Sequence, residues 1–551
     1  MRKARPSVLN LCLALLLAFT AESSHAATDP CTLPVDASAR YLNNSAACGK
    51  SCSDSNAGTF DAPWCTFSAA MAKTPSAGVL KVLPGIYRAS ATVNRSSSIT
   101  IRGLGDLGGV VFTPAKAIDE SLFVSDGNGI YSATLSALGL GSSSDLSVMV
   151  LDQGKKLYKD SAMGCTYSFD VTGGRLRVRL DGNALPSAHT LEVVDNSQFT
   201  NGLLFPWVTG TGSDLDVENV VFRGMGTGIY MYKVATLLRF DHVRFEMASG
   251  PQIAIYYSGG TVNLSNIEVT GSHNLSYWAT PGSLFTAYNR DTASRVSTYN
   301  VTATKIYAHN ALGSFNLSVA GSRATVDGVE VYSAGVDHTG ISLGSGGPGL
   351  LEVKNSVFAS FDYTIDMRKP YACFFNKAYE DAAHDFLYSD GGAQVNATLE
   401  NNLIAYGLFS IQFQGPPSGS HIKAINNIFI NNSAIIGGSF AIDEWDYNLY
   451  YNASDPYSSA ILNLPSGSLA TLSAARSGWQ SNFNCSGCDS HSLQTAPGLI
   501  DWARDDMFNY NFRPVQGSNV CGAGKNGADI GPYKCATSNS APAAPSGLRL
   551  Q

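Results

Sequence analysis

The densest run of reactive side chains is Asp366-Met367-Arg368-Lys369-Pro370-Tyr371, followed within a few residues by Lys377, Glu380, Asp381, His384 and Asp385. Asp337-His338 precedes it by about one repeat of the chain, and Tyr288 and Arg290 stand earlier still. These types suit β-elimination from a uronic acid. A cation must neutralise the carboxylate, and a base must then remove the acidified neighbouring proton. Lys369 is the expected base and Arg368 the expected carboxylate partner, with His338, Arg290 and Tyr288 as further groups of the right kind. Hydrolysis would instead need two carboxylates flanking the scissile bond, about 5–5.5 Å apart for retention or 6.5–9.5 Å for inversion. Asp337 and Asp366 are the pair for that reading.

Such residues, far apart in number, act together only if the chain stacks them. A short phrase does this by repetition. It reads Leu215-x-Val217-x-Asn219-Val220, Leu238-x-Phe240-x-His242-Val243, Val262-x-Leu264-x-Asn266-Ile267 and Ala324-x-Val326-x-Gly328-Val329, and it returns around Asn355, Asn401 and Asn426. Steps between fifth positions run 23, 24, 27 and 25 residues. Alternation of period two marks strands. A repeat of this size marks a solenoid, because one coil cannot bury its own apolar face and must stack on the next. Asparagine at a matched position predicts a hydrogen-bonded side-chain ladder at a tight bend. Two steps are longer: 37 residues from Asn266 to Ala303 and 46 from Asn355 to Asn401. Their surplus, 277–295 and 369–395, predicts long loops on a rigid scaffold, where function concentrates.

Aligning the strands that follow each bend pairs Ile229/Met231, Ile253/Ile255, Phe285/Ala287, Leu317/Val319, Ile341/Leu343, Ile365/Met367 and Ile411/Phe413 as inward residues. The positions between and after them form outward rows. Tyr232, Tyr256 and Tyr288 make an aromatic stripe suited to the C–H faces of sugar rings. Ala320 and Gly344 leave a gap, and Asp366, Arg368, Gln412 and Gln414 follow. Tyr232, Tyr256, Tyr288, Arg290, Gln412 and Gln414 are the expected substrate contacts. Calcium is a candidate helper, with Asp362 and Asp366 as oxygen donors, but the residues do not fix a metal site.

The phrases at both ends carry a resemblance. Ser53-Asp54-Ser55-Asn56-Ala57-Gly58-Thr59, then Pro63-Trp64-Cys65-Thr66-Phe67, then Leu83-Pro84-Gly85-Ile86-Tyr87-Arg88 resembles the start of right-handed parallel β-helix proteins of the pectate-lyase-like superfold. Gly527-Ala528-Asp529-Ile530-Gly531-Pro532-Tyr533 is similar to the phrase that closes such bacterial chains. The resemblance implies an all-β, right-handed parallel β-helix over roughly residues 40–535, with a short helix at 63–72 capping the first coil. It implies carbohydrate chemistry without selecting it, because the superfold hosts lyases, hydrolases, epimerases, esterases and tailspikes. His338-Thr339-Gly340-Ile341-Ser342-Leu343-Gly344-Ser345 partly resembles a polygalacturonase phrase, with Thr339 intruding and the partner motifs missing.

The rest of the chain sets the context. A basic lead, an apolar run from Val8 to Ala21 and Ser24-His25-Ala26 read as a signal peptide over 1–26, hence an exported protein. Removing 1–26 takes the formal charge from −7 to −9, which argues against nucleic acid as a partner; the expected partner is a polysaccharide. No later stretch is long and apolar enough for a membrane span, and the oligomeric state stays open. Ten cysteines remain of 11, crowded at both ends, and predict disulfides rather than a zinc site at Cys485/Cys488. The expected organisation is cap and first coils at 27–145, a small β-rich insertion at 146–195, the main β-helix at 196–535 and a Pro/Ala-rich disordered tail at 536–551.

Overall fold

The computed structural model describes residues 29–535 except 89–92, 95–96, 142–145, 151–154, 165, 167, 196–200, 206–213, 226, 233–236, 247–252, 257–259, 271–283, 289–298, 313–316, 321–322, 335–340, 345–348, 362–384, 390–394, 406–408, 415–418, 431–432, 438–439, 453–460, 465–466 and 503–510. Both termini, with the expected signal peptide and tail, lie outside the described residues.

Each repeat of the apolar phrase builds one coil with three faces. Leu215–Arg223 runs along the first face, turns at Asn219 and continues along the second; Thr227–Tyr232 forms the third. Leu237–Glu246 then lies in parallel register on Leu215–Arg223, pairing Val217 with Phe240 and Val220 with Val243. The first-face register continues through Leu264, Ala303, Val326, Val353, Leu399, Ala424 and Trp445. The third-face strands make a separate ladder from Val93–Asn94 to Leu462–Leu464, parallel throughout. These parallel ladders, closed around a common interior, are a parallel β-helix, as the repeat and the terminal phrases led one to expect.

The phrase specifies the coil because its fifth residue must adopt positive φ. Asn219, His242, Asn266, Lys305, Gly328, Asn355, Asn401, Asn426 and Tyr447 all do so, with φ between 51° and 65°. Asparagine and glycine reach this region at least cost. The long coil departs from the expected alignment here. Its bend residue is Lys305, while Ala303 is an inward residue paired with Leu264, so the step from Asn266 is 39 residues rather than 37.

The expected ladder exists, displaced by one residue. The bend asparagines make scattered bonds, such as Asn266 Nδ2 to Asp241 Oδ1 at 2.7 Å and Asn355 Nδ2 to Asp327 Oδ1 at 2.8 Å. The continuous ladder is formed by the next residues, Ser356, Asn402, Asn427, Asn448 and Ser492, the first four fully buried. Each backbone N–H donates to the side-chain oxygen of the coil above: Ser356 to Asn402 (3.1 Å), Asn402 to Asn427 (3.0 Å), Asn427 to Asn448 (2.9 Å) and Asn448 to Ser492 (2.9 Å). The amide nitrogens of the three asparagines donate to the carbonyls of Val353, Leu399 and Ala424. A bend that must bury polar backbone is thereby satisfied internally.

Aromatic side chains fill the interior and close its ends. Phe112, Phe222 and Phe245 stack on successive coils at centroid distances of 5.7 and 5.5 Å. At the first coil Phe67 packs on Phe112 at 4.2 Å from the helix Phe67–Lys73. That helix starts later than the expected 63–72, because Thr66 is its N-cap and accepts from Ala69 N–H. Asp54 of the opening phrase accepts the N–H groups of Cys65 and Thr66. Partial burial pushes its carboxyl up, but these bonds and that from the Thr66 hydroxyl bring it below the ordinary value. At the far end, Trp479 on the helix Leu472–Phe483 lies 4.8 Å from Trp445.

Two excursions leave the coils. Strands between Lys116 and Asp195 form a four-stranded and a five-stranded sheet around a core of their own that includes Leu157, Phe169, Leu176 and Val178. Arg88 of the first coils pairs with the buried Glu192 of this unit. After Leu493–Gln494 the chain folds back over the outer side of the second face, where Leu499, Phe512, Val520 and Ile530 bury Val357, Leu403, Ile428 and Leu449. The closing phrase does this work: Asp529 accepts the N–H groups of Gly522 and Cys535, fixing Ile530 between them. Disulfides join Cys31–Cys48, Cys52–Cys65, Cys485–Cys488 and Cys521–Cys535; Cys165 lies outside the described residues, as does Cys373.

Candidate functional site

The third face is where the expected substrate row falls. Its strands Thr227–Tyr232, Ile253–Tyr256 and Phe285–Tyr288 pair Tyr232 with Tyr256 and Tyr256 with Tyr288. Parallel strands lie about 4.8 Å apart, so three tyrosine positions follow one another up the stack. The next two coils carry Ala320 and Gly344, which pair with each other, the positions expected to leave a gap. Ile253, Leu284 and Ile341 of this face are buried, which ties it to the common core.

The upper half of the face requires a correction. The strand paired with Ile341–Gly344 on one side and Phe409–Gln414 on the other is Asp385–Ser389. Ile341, Ser342 and Leu343 pair with Leu387, Tyr388 and Ser389, which pair in turn with Ile411, Gln412 and Phe413. Ile365 and Met367 therefore do not occupy this rung, and the register position expected for Asp366 belongs to Tyr388. The misalignment has a simple cause. The residues in register with Ile341 and Leu343 are Leu387 and Ser389, and the serine breaks the apolar alternation that Ile365/Met367 satisfies. The third-face strand of this coil accordingly begins at Asp385, later in the sequence than the spacing led one to expect.

Of the expected catalytic residues, Asp337, His338, Asp366, Arg368 and Lys369 lie outside the described residues, as does Arg290. Tyr232, Tyr256, Tyr288, Gln412 and Gln414 are placed by backbone register alone. The candidates for calcium, Asp362 and Asp366, also lie outside. Among the described residues no group of three or more His, Cys, Asp or Glu stands at metal-binding geometry. Cys485 and Cys488 are joined to each other, as the disulfide reading required.

Under this face the coils are locked by charge on the outer side of the second face. Arg223 Nε lies 2.6 Å from Glu246, and Arg244 Nε lies 2.5 Å from Glu268, with Arg244 Nη1 3.5 Å from Glu246. On the first face, Asp241 accepts from Ser265 and Asn266 and faces His242. Partial burial raises its pKa, yet the bonds from Asn266 and Ser265 and the nearby His242 bring it below the ordinary range. The Arg223–Glu246 and Arg244–Glu268 pairs and the bonds of Ser265 and Asn266 to Asp241 span neighbouring coils and support their register. Sequence alternation did not single them out, because outward charges on strands carry no periodic signature of their own.

No family model matches the chain, and no curated protein matches it. Among solved structures it is similar to a rhamnogalacturonan lyase at 12% identity, with 86% of this chain and 95% of that chain covered and a TM-score of 0.39. It is similar to pectate lyase Pel9A at 13% identity, covering 90% and 97%, with a TM-score of 0.36. A third similarity is to XylC in complex with xylose, at 11% identity, covering 84% and 87%, with a TM-score of 0.37. Likeness at this level carries no argument about chemistry. The strand registers themselves make this chain a parallel β-helix protein.

Proposed function

We propose that this chain is an exported, carbohydrate-active enzyme that cleaves a uronic-acid-containing polysaccharide by β-elimination along its third face. The observation that carries the reading is the in-register run Tyr232–Tyr256–Tyr288 leading to Ala320–Gly344. It offers consecutive aromatic positions and then a gap of small residues, a row suited to an extended chain of sugar rings. Gln414 stands at the same strand position further up the stack, and Tyr388 and Gln412 lie in the adjacent row, in register with Ser342.

In this reading Arg368, with Arg290 or a calcium ion as helper, neutralises the sugar carboxylate. Lys369 takes the C5 proton, the C4–O bond breaks, a C4=C5 double bond forms, and the departing oxygen receives a proton. Asp366, Asp337 and His338 are the further titratable residues this reading assigns to the step. Arg368 and Lys369 stand in sequence between Val357–Phe361 of the second face and Asp385–Ser389 of the third, outside the described residues. The hydrolytic alternative keeps Asp337 and Asp366 as its carboxylate pair; the rung position of Tyr388 removes the expected stacking of Asp366 and of Arg368 alike. A C5-epimerase would share the base and the cation without breaking the chain.

The test is to incubate the protein with polygalacturonate, alginate and bacterial exopolysaccharides. A lyase releases unsaturated, ultraviolet-absorbing ends, and Lys369→Ala slows this by about 10²–10⁴-fold. New reducing ends without that absorbance would overturn elimination in favour of hydrolysis. Proton exchange at C5 seen by NMR, without cleavage, would mark an epimerase.

A further inference from the structure

The bend column changes character at its C-terminal end. In the coils of Asn401 and Asn426 the left-handed position is asparagine. The next coil has Tyr447 there, at φ 57°, a conformation unusual for a bulky side chain. In the last coil the residue just before the ladder residue Ser492 is His491, and the left-handed residue there is Asp489. The two rings are stacked, 4.6 Å apart and 6° from parallel.

One carboxylate organises both. Asp446 Oδ2 lies 2.6 Å from His491 Nδ1, and its Oδ1 accepts the backbone N–H of Tyr447 at 2.9 Å and of His491 at 2.7 Å. The Asp446 side chain is 11% exposed and that of His491 61%. With Nδ1 facing a carboxylate, Nε2 is the ring nitrogen left for an outside partner. Glu444 bridges Lys423, at 3.3 Å, and Lys525, and His421 pairs with Asp443 at 2.8 Å. This end of the molecule therefore presents a clamped aromatic surface flanked by the Lys423–Glu444–Lys525 cluster and the His421–Asp443 pair. The core does not require it, since Trp445 and Tyr450 already fill the interior of the same coil.

We propose that Tyr447 and His491, held by Asp446, form a secondary saccharide-binding site on the edge between the first and second faces. A strained aromatic residue where asparagine serves two neighbouring coils points to a role outside folding. The ligand is a pyranose unit of a polysaccharide chain. Its C–H face packs on the exposed imidazole, and its hydroxyls bond to Nε2 and to the Glu444–Lys525 pair. The site is separate from the third-face row and retains polymer; it takes no part in the cleavage step. It rests on the reading that the substrate is a polysaccharide.

Gel electrophoresis through soluble polygalacturonate, alginate and a neutral β-glucan tests this with the full chain, Tyr447→Asn and His491→Ala. Tyr447→Asn restores the residue of the preceding coils, so it keeps the bend and its unfolding midpoint should not fall. Both variants should bind the retarding polymer about three- to tenfold more weakly, with turnover of short oligosaccharides unchanged. Variants that migrate as the wild type would make the stack a structural cap and overturn the site alone. A wild type that cleaves polymer yet is not slowed in any gel would do the same. A wild type that is neither slowed nor active would remove the polysaccharide reading together with the site.

Discussion

Among the described residues, nine of left-handed φ turn the chain from the first face to the second, and their side chains range from glycine to tyrosine while their φ values agree within 14°. The backbone requirement is therefore constant and the residue that meets it is not. Lys305 meets it without the short side chain that makes asparagine tolerant of this region. Lys305→Asn should raise stability by about 0.5–1 kcal/mol, read as a higher urea midpoint. The neighbouring ladder is far less tolerant. Asn427 donates its N–H to Asn448 and its amide to the Leu399 carbonyl, and its Oδ1 accepts the N–H of Asn402. Asn427→Ala should cost about 2–4 kcal/mol, because buried partners on two coils lose their bonds together, and denaturant unfolding would report it. An effect below about 0.5 kcal/mol would mean that water replaces the amide. Asparagine was conspicuous in the repeat, but the sequence did not distinguish the bend residue, chosen for φ, from its neighbour, chosen for hydrogen bonding.

At the level of elements, the C-terminal end depends on two attachments of different chemistry. The helix Leu472–Phe483 is held through Asp489, whose carboxylate accepts Trp479 Nε1 at 2.6 Å and the Tyr450 hydroxyl at 2.9 Å. Burial pushes Asp489 up to about 6, against the opposing bonds from Ser492, Trp479 and Tyr450, with the Asp446 charge adding to the rise. A carboxyl that binds its proton more tightly when folded favours the native state at low pH. Its contribution is complete below about pH 4 and lost as pH rises through 6, on the order of 3 kcal/mol. Asp489→Asn should remove this dependence, so thermal midpoints of variant and wild type should diverge between pH 4 and 7; parallel curves would contradict it. The second attachment is the returning segment 495–535, closed by Cys521–Cys535 and covering Leu403, Ile428 and Leu449. Truncation after Gln494 should expose that apolar sheet, seen as binding of a hydrophobic dye and as aggregation. Both attachments were legible only in outline, as clustered cysteines and a closing phrase.

For the whole molecule, function depends on register, and register is a property of the stack. The period-two phrases and their spacing determined by themselves that the chain coils, that it does so in parallel, and where most bends fall, because burial of alternate apolar residues leaves a solenoid no other partner than its next coil. They also put Tyr232, Tyr256 and Tyr288 in one row. What spacing alone did not decide is how a coil of irregular length distributes its surplus. At Asn355–Asn401 an apolar pair at Ile365/Met367 competed with Leu387/Ser389 for the same rung, and only pairing with both neighbouring strands selected the latter. If Tyr388 belongs to the substrate row, Tyr388→Ala should raise KM on polymer several-fold, whereas Tyr388→Phe should raise it less; equal turnover in both would exclude it. The Tyr447–His491 stack was equally unreadable in advance, its members being separated by 44 residues and joined only when the last coil closes. Local alternation is enough to name a strand, because it reports which side of the chain meets the core. Which side chains become neighbours depends on every coil between them, and only the folded stack supplies that.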